Sequence, residues 1–378
     1  MTLIDFGLAL FIVPGFFLTL LAYFALNKVP KRPVSLQQHA ANPNARPNLP
    51  FISICIAARN EEGTLPRCLQ ALEQLTYDPN KMEILIGNDS SSDHTLAVAQ
   101  EWAQRFEHAR VFHIGPEFKS QTQGKARVLS YLIQQARGDY YLITDADCQV
   151  SADWAHTLVA YHLEGFDCVT GSTSVTYNNI FSMIQALDWR YFMSLVHGFG
   201  AIGVPITAVG NNMSVCAKVY HSVGGYETIP FSVTEDFKLF SSLLSMGASF
   251  TGIIEPGSKV RTLPQPTLKS YLIQRKRWLT GAMGLKWPSR LMLAGLPAWY
   301  LGMGALTCFA PWTFVASLAL LRLVWVYGHQ KKVSELIKET PFSPLQTLIY
   351  EASMYILIPL TLLYYCLPGK VVWKGRKH

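Results

Sequence analysis

The chain has 378 residues, 50% of them hydrophobic and 15% charged, with a formal net charge of +7. That is more apolar than an ordinary soluble domain. The basic residues stand beside apolar runs ("NKVPKR", "IQRKRW", "WKGRKH"), which suits an anionic membrane surface and excludes nucleic acid as the expected partner.

The run "LIDFGLALFIVPGFFLTLLAYFAL" carries one charge, Asp5, and is long enough to cross a hydrocarbon core of about 30 Å. It begins acidic and is followed by Lys28, Lys31 and Arg32, so residues 1–27 read as an uncleaved anchor whose C-terminal side is cytoplasmic. Residues 28–50 are proline-rich and polar, a linker. "FISICIAA" (51–58) is then a near-continuous apolar run, the mark of a strand covered on both faces. An amphipathic stretch covers Thr64 to Leu75, a second strand "MEILIGND" (82–89), and a second helix Thr95 to Phe106. A short strand "RVFHI" (110–114), a helix "GKARVLSYLIQQA" (124–136) and a fourth strand "YYLITDAD" (140–147) follow.

This alternation predicts an α/β fold with an open, mostly parallel sheet that binds ligands at the carboxyl ends of its strands. Asp89 ends the second strand and Asp145-Ala-Asp147 the fourth, so three carboxylates gather on one rim. No GxGxxG and no GxxxxGK[ST] is present, so phosphate must be held without a glycine cradle. Two carboxylates separated by one residue suit Mg²⁺ or Mn²⁺, whose charge removes their mutual repulsion. A solvated strand-end turn is the plainer reading of the same three residues. The seven cysteines are odd in number and lack any CxxC, so no disulfide framework is expected, and Cys148 reads as a packing residue.

Residues 178–203 are rich in aromatic and long apolar side chains, broken by Asp188 and Arg190. They read as a helix, either a core helix or one lying against the membrane beside an acceptor cleft. Leu291 to Tyr327 is too long an apolar run for one span, and Pro311 can break it into a hairpin; a further run covers Leu345 to Leu367. Residues 291–369 therefore hold two or three spans, and 370–378 form a basic tail.

Read together, "AARNEE" (57–62), "GNDSSSDHT" (87–95), "GKA" (124–126), "DAD" (145–147), "TED" (234–236) and "QRKRW" (274–278) resemble the family-2 glycosyltransferases. These are inverting enzymes of GT-A fold that use nucleotide sugars. The Q-x-x-R-W pattern resembles the membrane branch that includes cellulose, chitin and hyaluronan synthases and ceramide glucosyltransferases. The resemblance covers roughly residues 50 to 290 and implies a GT-A domain over 51–290.

It also implies roles. Asp89 would accept a hydrogen bond from the nucleobase, with Asn60 and Glu61 lining the same pocket; alternatively Asp89 caps the helix that follows. Lys125 would approach the diphosphate, or is a first-turn surface lysine. Asp145 would touch the nucleotide and, with Asp147, hold the divalent metal. Asp236 would be the general base, and Thr234 can cap the helix that aims it. Glu235, Gln274, Trp278, Asn211 and Asn212 would line the acceptor, and Arg277 would neutralise the departing diphosphate. Arg275 and Lys276, with Lys286, Trp287 and Arg290, are expected at the membrane surface, while Arg277 and Trp278 face inward.

Polysaccharide synthases of this branch carry a Phe-Phe-Cys-Gly-Ser-type segment where this chain reads "TAVGNNMSV", keeping only Gly210. So few spans, moreover, cannot enclose a polar path for a polymer. The expected reaction is transfer of one sugar from a UDP donor to a membrane-borne lipid acceptor, at the cytoplasmic face of the inner membrane. The alternatives are a polysaccharide synthase subunit completed by an oligomer or a partner protein, and a non-catalytic nucleotide-sugar sensor.

Overall fold

The computed structural model describes residues 23–30, 49–230 and 232–369, with positions 17, 20, 21, 33, 372, 373, 376 and 377. Most of the expected anchor (1–27) and linker (28–50), and most of the basic tail (370–378), lie outside the described residues. The chain forms two compact units: an α/β unit of Pro30–Ser174 and Thr207–Leu263, and a helical unit of Met1–Val29, Val175–Ile206 and Pro264–His378. The continuous domain expected over 51–290 is thus interleaved, because residues 175–206 and those from 264 onward pack into the helical unit.

The α/β unit is built on strands β1 (Ile52–Ala58), β2 (Met82–Asn88), β3 (Ala109–His113) and β4 (Tyr140–Asp145). They are joined by helices α1 (Leu65–Glu73), α2 (Thr95–Ala103) and α3 (Gly124–Gln134). Beyond β4 come β5 (Gln149–Val150), α4 (Trp154–Leu163), β6 (Cys168–Thr170), β7 (Thr173–Val175), β8 (Met213–Cys216), β9 (Phe250–Gly252) and β10 (Val260–Thr262). One sheet has the order β3-β2-β1-β4-β8-β6-β9 and a smaller one the order β5-β10-β7.

β3, β2, β1 and β4 run parallel, which is why their sequences are apolar runs without alternation: both faces are covered. Ile54, Ile56 and Leu142 pack with Leu65, Leu69 and Trp154 on one face. Cys55, Leu85 and Ile143 pack with Val128, Leu132 and Leu239 on the other. Gly87 lets α3 approach β2, since a Cβ there would stand 2.5 Å from Val128 Cγ1.

Register places the site. Ala57 lies opposite Asp145 and Ala58 opposite Asn88, so β1, β2 and β4 end in step. β8 runs antiparallel to β4, with Met213 opposite Ile143, which brings the residues just before β8 beside the end of β4.

The opposite end of the sheet carries a buried structural carboxylate. Glu83 accepts hydrogen bonds from Ser53 Oγ at 2.7 Å and Arg137 N at 2.6 Å, and pairs with Arg110 at 2.7 Å. Burial alone would raise its pKa; the hydrogen bonds from Ser53, Arg137 and Arg110 outweigh this and hold it below its usual 4.5. A lowered native pKa means that the stability Glu83 contributes is present above pH 4.5 and is lost as pH falls through the native value. Glu83→Gln should therefore cost about 3 kcal/mol near neutral pH and flatten the acid limb of a urea-midpoint titration.

In the helical unit, α5 (Ile180–Ala201) starts at a reciprocal cap in which Asn179 and Ser182 satisfy each other's backbone N–H groups. It is buried along nearly its whole length, so it is the core helix of this unit. α9 (Leu268–Ala282), α10 (Trp287–Leu306), α11 (Trp312–Leu336) and α12 (Pro344–Cys366) complete the unit, and Pro311 marks the break between α10 and α11, as its sequence position predicts. Among the described residues, one helix, Pro344–Cys366, is long and apolar enough to cross a membrane.

Candidate active site

Asp145 and Asp147 stand where β4 leaves the sheet, and Lys125 at the start of α3 reaches across to Asp145. Lys125 Nζ is 2.5 Å from Asp145 Oδ1, 3.4 Å from Glu235 Oε1 and 3.3 Å from the Gly210 carbonyl oxygen. Three acceptors meet the three donors of an ammonium. Burial would lower the lysine pKa, but Asp145, Glu235 and Asp236 more than reverse it, so Lys125 stays charged. It is no first-turn surface lysine.

Gly210 continues the chain of contacts by donating its N–H to Asp236 Oδ2 at 2.8 Å, while Asp236 Oδ1 accepts from Phe237 N at 2.8 Å. A Cβ on residue 210 would stand 2.8 Å from Asp236 Cβ, so glycine is what allows this approach. Asp236 opens α8 (Glu235–Ser245), where the unpaired N–H groups of the first turn favour a carboxylate. Thr234 precedes the helix without a side-chain cap, so Asp236 is aimed by Gly210 rather than by the predicted threonine cap.

Asp89 is buried, and its carboxylate faces two arginines absent from the sequence expectations. Arg127 Nη2 is 2.8 Å from Oδ1 and Arg59 Nη1 is 3.6 Å from Oδ2. Asp89 is therefore not the cap of α2, whose first residue Thr95 donates its N–H to Asp93 Oδ1 at 3.1 Å. Arg59 sits within "AARNEE" and Arg127 directly after "GKA". An acid ending a buried strand needs a cation, and that was the available signal.

Asn60 takes a positive φ of 53° and Ser90 one of 50°. Asn60 Oδ1 accepts from Ser92 N at 2.9 Å, and Glu61 N donates to Thr95 Oγ1 at 2.7 Å. The two motifs thus clasp each other, a role for Asn60 and Glu61 in shaping the rim.

Asn212 departs from expectation. It is fully buried; its amide oxygen accepts from Trp154 Nε1 at 2.9 Å, and its amide nitrogen donates to the Ser172 and Ser258 carbonyls at 3.0 and 2.8 Å. An amide so engaged braces the two sheets, and the structure does not offer it to an acceptor. Asn211 is also buried, with Oδ1 taken by Thr173 Oγ1 at 2.9 Å.

Oxygens of Asp145 and Asp147 and the Cys148 sulfur lie within 4.8 Å of one another. Burial, then Asp147 and Asp145, push the Cys148 thiol well above its usual pKa, and its S–H donates to Asp147 Oδ1 at 3.3 Å. Asp145 and Asp147 supply a pair of hard oxygen donors, which fits Mg²⁺ or Mn²⁺.

The Q-x-x-R-W residues belong to α9 in the helical unit, where Gln274, Arg277 and Trp278 are half-buried. Arg275 differs from its expected place at the membrane surface: it pairs with Asp188 through Nη2 and lies over the rings of Tyr271 and Trp278. The cause is helical spacing, which puts Tyr271 and Trp278 on the same face as Arg275. Lys276 donates to the Leu367 carbonyl at 2.6 Å.

An open α/β sheet with clustered carboxylates at the carboxyl ends of parallel strands, and with no glycine cradle, fits the GT-A-like fold that the sequence resemblance implies. The chain belongs to the glycosyl transferase family group 2, which it matches over residues 141–367, and it matches glycosyl transferase family 2 over residues 53–217. The beta-monoglucosyldiacylglycerol synthase of Trichormus variabilis is 27% identical over 229 residues, covering 58% of this chain and 47% of that protein. The poly-beta-1,6-N-acetyl-D-glucosamine synthase of Staphylococcus aureus is 25% identical over 234 residues, 61% of this chain and 54% of that one. The chain thus spans about half the length of these curated relatives. A mannosyltransferase of Pyrobaculum calidifontis, solved with GDP-mannose and Mn²⁺, shares the fold with a TM-score of 0.53 at 16% identity, covering 91% of this chain and 98% of that one.

Proposed function

We propose that this glycosyltransferase moves one hexose, with inversion, from a UDP donor to a hydroxyl of a membrane lipid at the cytoplasmic face of the inner membrane. The observation that carries the reading is the run of contacts Asp145–Lys125–Gly210–Asp236, which ties the donor-side carboxylate to the base within one unit. Asp236 takes the proton of the acceptor hydroxyl; that oxygen bonds to the anomeric carbon as the bond to the diphosphate breaks, and the electron pair leaves with UDP. Asp145 and Asp147 would hold the divalent ion, which would offset negative charge on the diphosphate. Lys125 keeps Asp145, Glu235 and Gly210 in one geometry and reaches the diphosphate as an added cation. Asp89, oriented by Arg59 and Arg127, accepts from the nucleobase. By the family resemblance of "QRKRW", Arg277 would answer the negative charge of the leaving group, and Gln274 and Trp278 would line the acceptor side.

A lipid acceptor is supported by the relative whose name gives diacylglycerol as its glycolipid's base. The exposed apolar side chains of α10 to α12, among them Leu301, Trp312, Leu320, Val324, Ile356 and Leu363, suit a bilayer. Arg322 of α11 turns inward to Glu351 of α12 at 3.5 Å, so a charge that lowers the helix's hydropathy does not face lipid. We read α10 to α12 as membrane-embedded on these grounds. The polymer reading keeps support from the Staphylococcus relative and requires a partner or oligomer to supply a path.

Membranes containing the protein, given UDP-glucose, UDP-galactose or UDP-N-acetylglucosamine with Mn²⁺, should yield lipids heavier by one sugar in mass spectra. A ladder of long products would replace this reading with the polymer one.

A further inference from the structure

We propose that the Asp188–Arg275 ion pair is the positioning device of Trp278 and thereby sets the affinity for the acceptor. This rests on the reading of Trp278 as an acceptor-side residue. Asp188 is one of the two charges that interrupt the apolar run of α5; the other, Arg190, is engaged separately with Glu339 at 2.6 Å. Asp188 pairs with Arg275 of α9 through its Oδ2 and accepts from Tyr350 Oη at 3.4 Å through its Oδ1.

A buried ion pair is a weak device for stability, because apolar residues of similar volume serve as well. This pair has a second consequence. The guanidinium carbon lies 4.7 Å from the Tyr271 ring centre and 4.6 Å from that of Trp278, so one planar cation joins the carboxylate to the indole. Trp189 and Phe192, on the same helix as Asp188, meet that indole edge-on at 5.1 Å and stacked at 6.3 Å. The indole is therefore held by α5 on one side and, through Arg275, by its own helix. Lysine at 275 can keep the charge pair but has no plane to lay on the ring.

That difference separates positioning from a mere lock between α5 and α9. The full chain is labelled with 5-fluorotryptophan, and the ¹⁹F line of Trp278 is assigned with Trp278→Phe. Host lipid extract in vesicles serves as acceptor. Arg275→Lys and Asp188→Asn should shift and broaden the Trp278 line and raise the acceptor KM about tenfold, with donor KM unchanged. Arg275→Lys should do so with Tm close to that of the parent. A Trp278 line unmoved in both variants overturns the proposal whatever the activity. So does an acceptor KM unchanged in Arg275→Lys while the parent enzyme glycosylates lipid. If the parent releases UDP and forms no glycolipid, the lipid-transfer reading fails instead, and the ¹⁹F spectra still decide whether the pair positions Trp278.

Discussion

Asp236→Asn should lower kcat for sugar transfer by about three orders of magnitude, the scale of losing a positioned general base. The acceptor hydroxyl must lose its proton as its oxygen attacks, and an amide cannot take it. Donor affinity, followed by calorimetric titration with UDP, should change by less than about threefold, because the lost interaction is made only in the transition state. The structure adds a second expectation. Both oxygens of Asp236 accept backbone N–H groups, from Gly210 and Phe237. Asparagine has one oxygen, so its NH₂ must face one of these donors, and the variant should lose about 1–3 kcal/mol of stability. Asp236→Glu keeps both acceptors but moves the carboxylate by a methylene. It should keep more stability than Asp236→Asn and still be slow. Transfer at the parent rate in Asp236→Asn would move the base elsewhere.

Asp147→Asn should weaken Mn²⁺ binding by at least about a hundredfold, read from the free-ion signal in an electron paramagnetic resonance titration without donor. The expectation follows from how the neighbouring groups are already engaged. Asp145 is 2.5 Å from the Lys125 ammonium, and Asp147 offers a carboxylate oxygen within 4.8 Å of that of Asp145. Cys148 carries its proton and points it at Asp147. Cys148→Ala should therefore leave Mn²⁺ affinity within about threefold, whereas a thiolate ligand would cost far more. Equal Mn²⁺ affinity in Asp147→Asn and the parent would remove this acid from the ion's coordination.

Much of this was legible in the residues alone. Long apolar runs ending in acids, separated by amphipathic stretches, specify a parallel sheet with charges at its carboxyl rim, because hydrophobic periodicity is a local property. Asp89 and Asp145 were placed by such patterns, and Asp236 by the family resemblance of "TED". The arginines facing Asp89 were not, since Arg59 follows β1 and Arg127 lies on α3, and the register of β1 and β2 together with the packing of α3 on β2 brings them to one carboxylate.

Adjacent residues of one motif can part company for the same reason. In "VGNN", Gly210 reaches Lys125 and Asp236, yet Asn212 turns into the space between the sheets to satisfy Trp154 and two carbonyls. In "QRKRW", Arg275 reads as a surface cation until Asp188, 87 residues earlier, is seen to meet it. Chain order and periodicity set which elements form and which ends carry charge. Partners across long sequence separations decided which polar side chains are spent inside the protein, because a buried donor or acceptor must be satisfied by whatever the fold brings beside it.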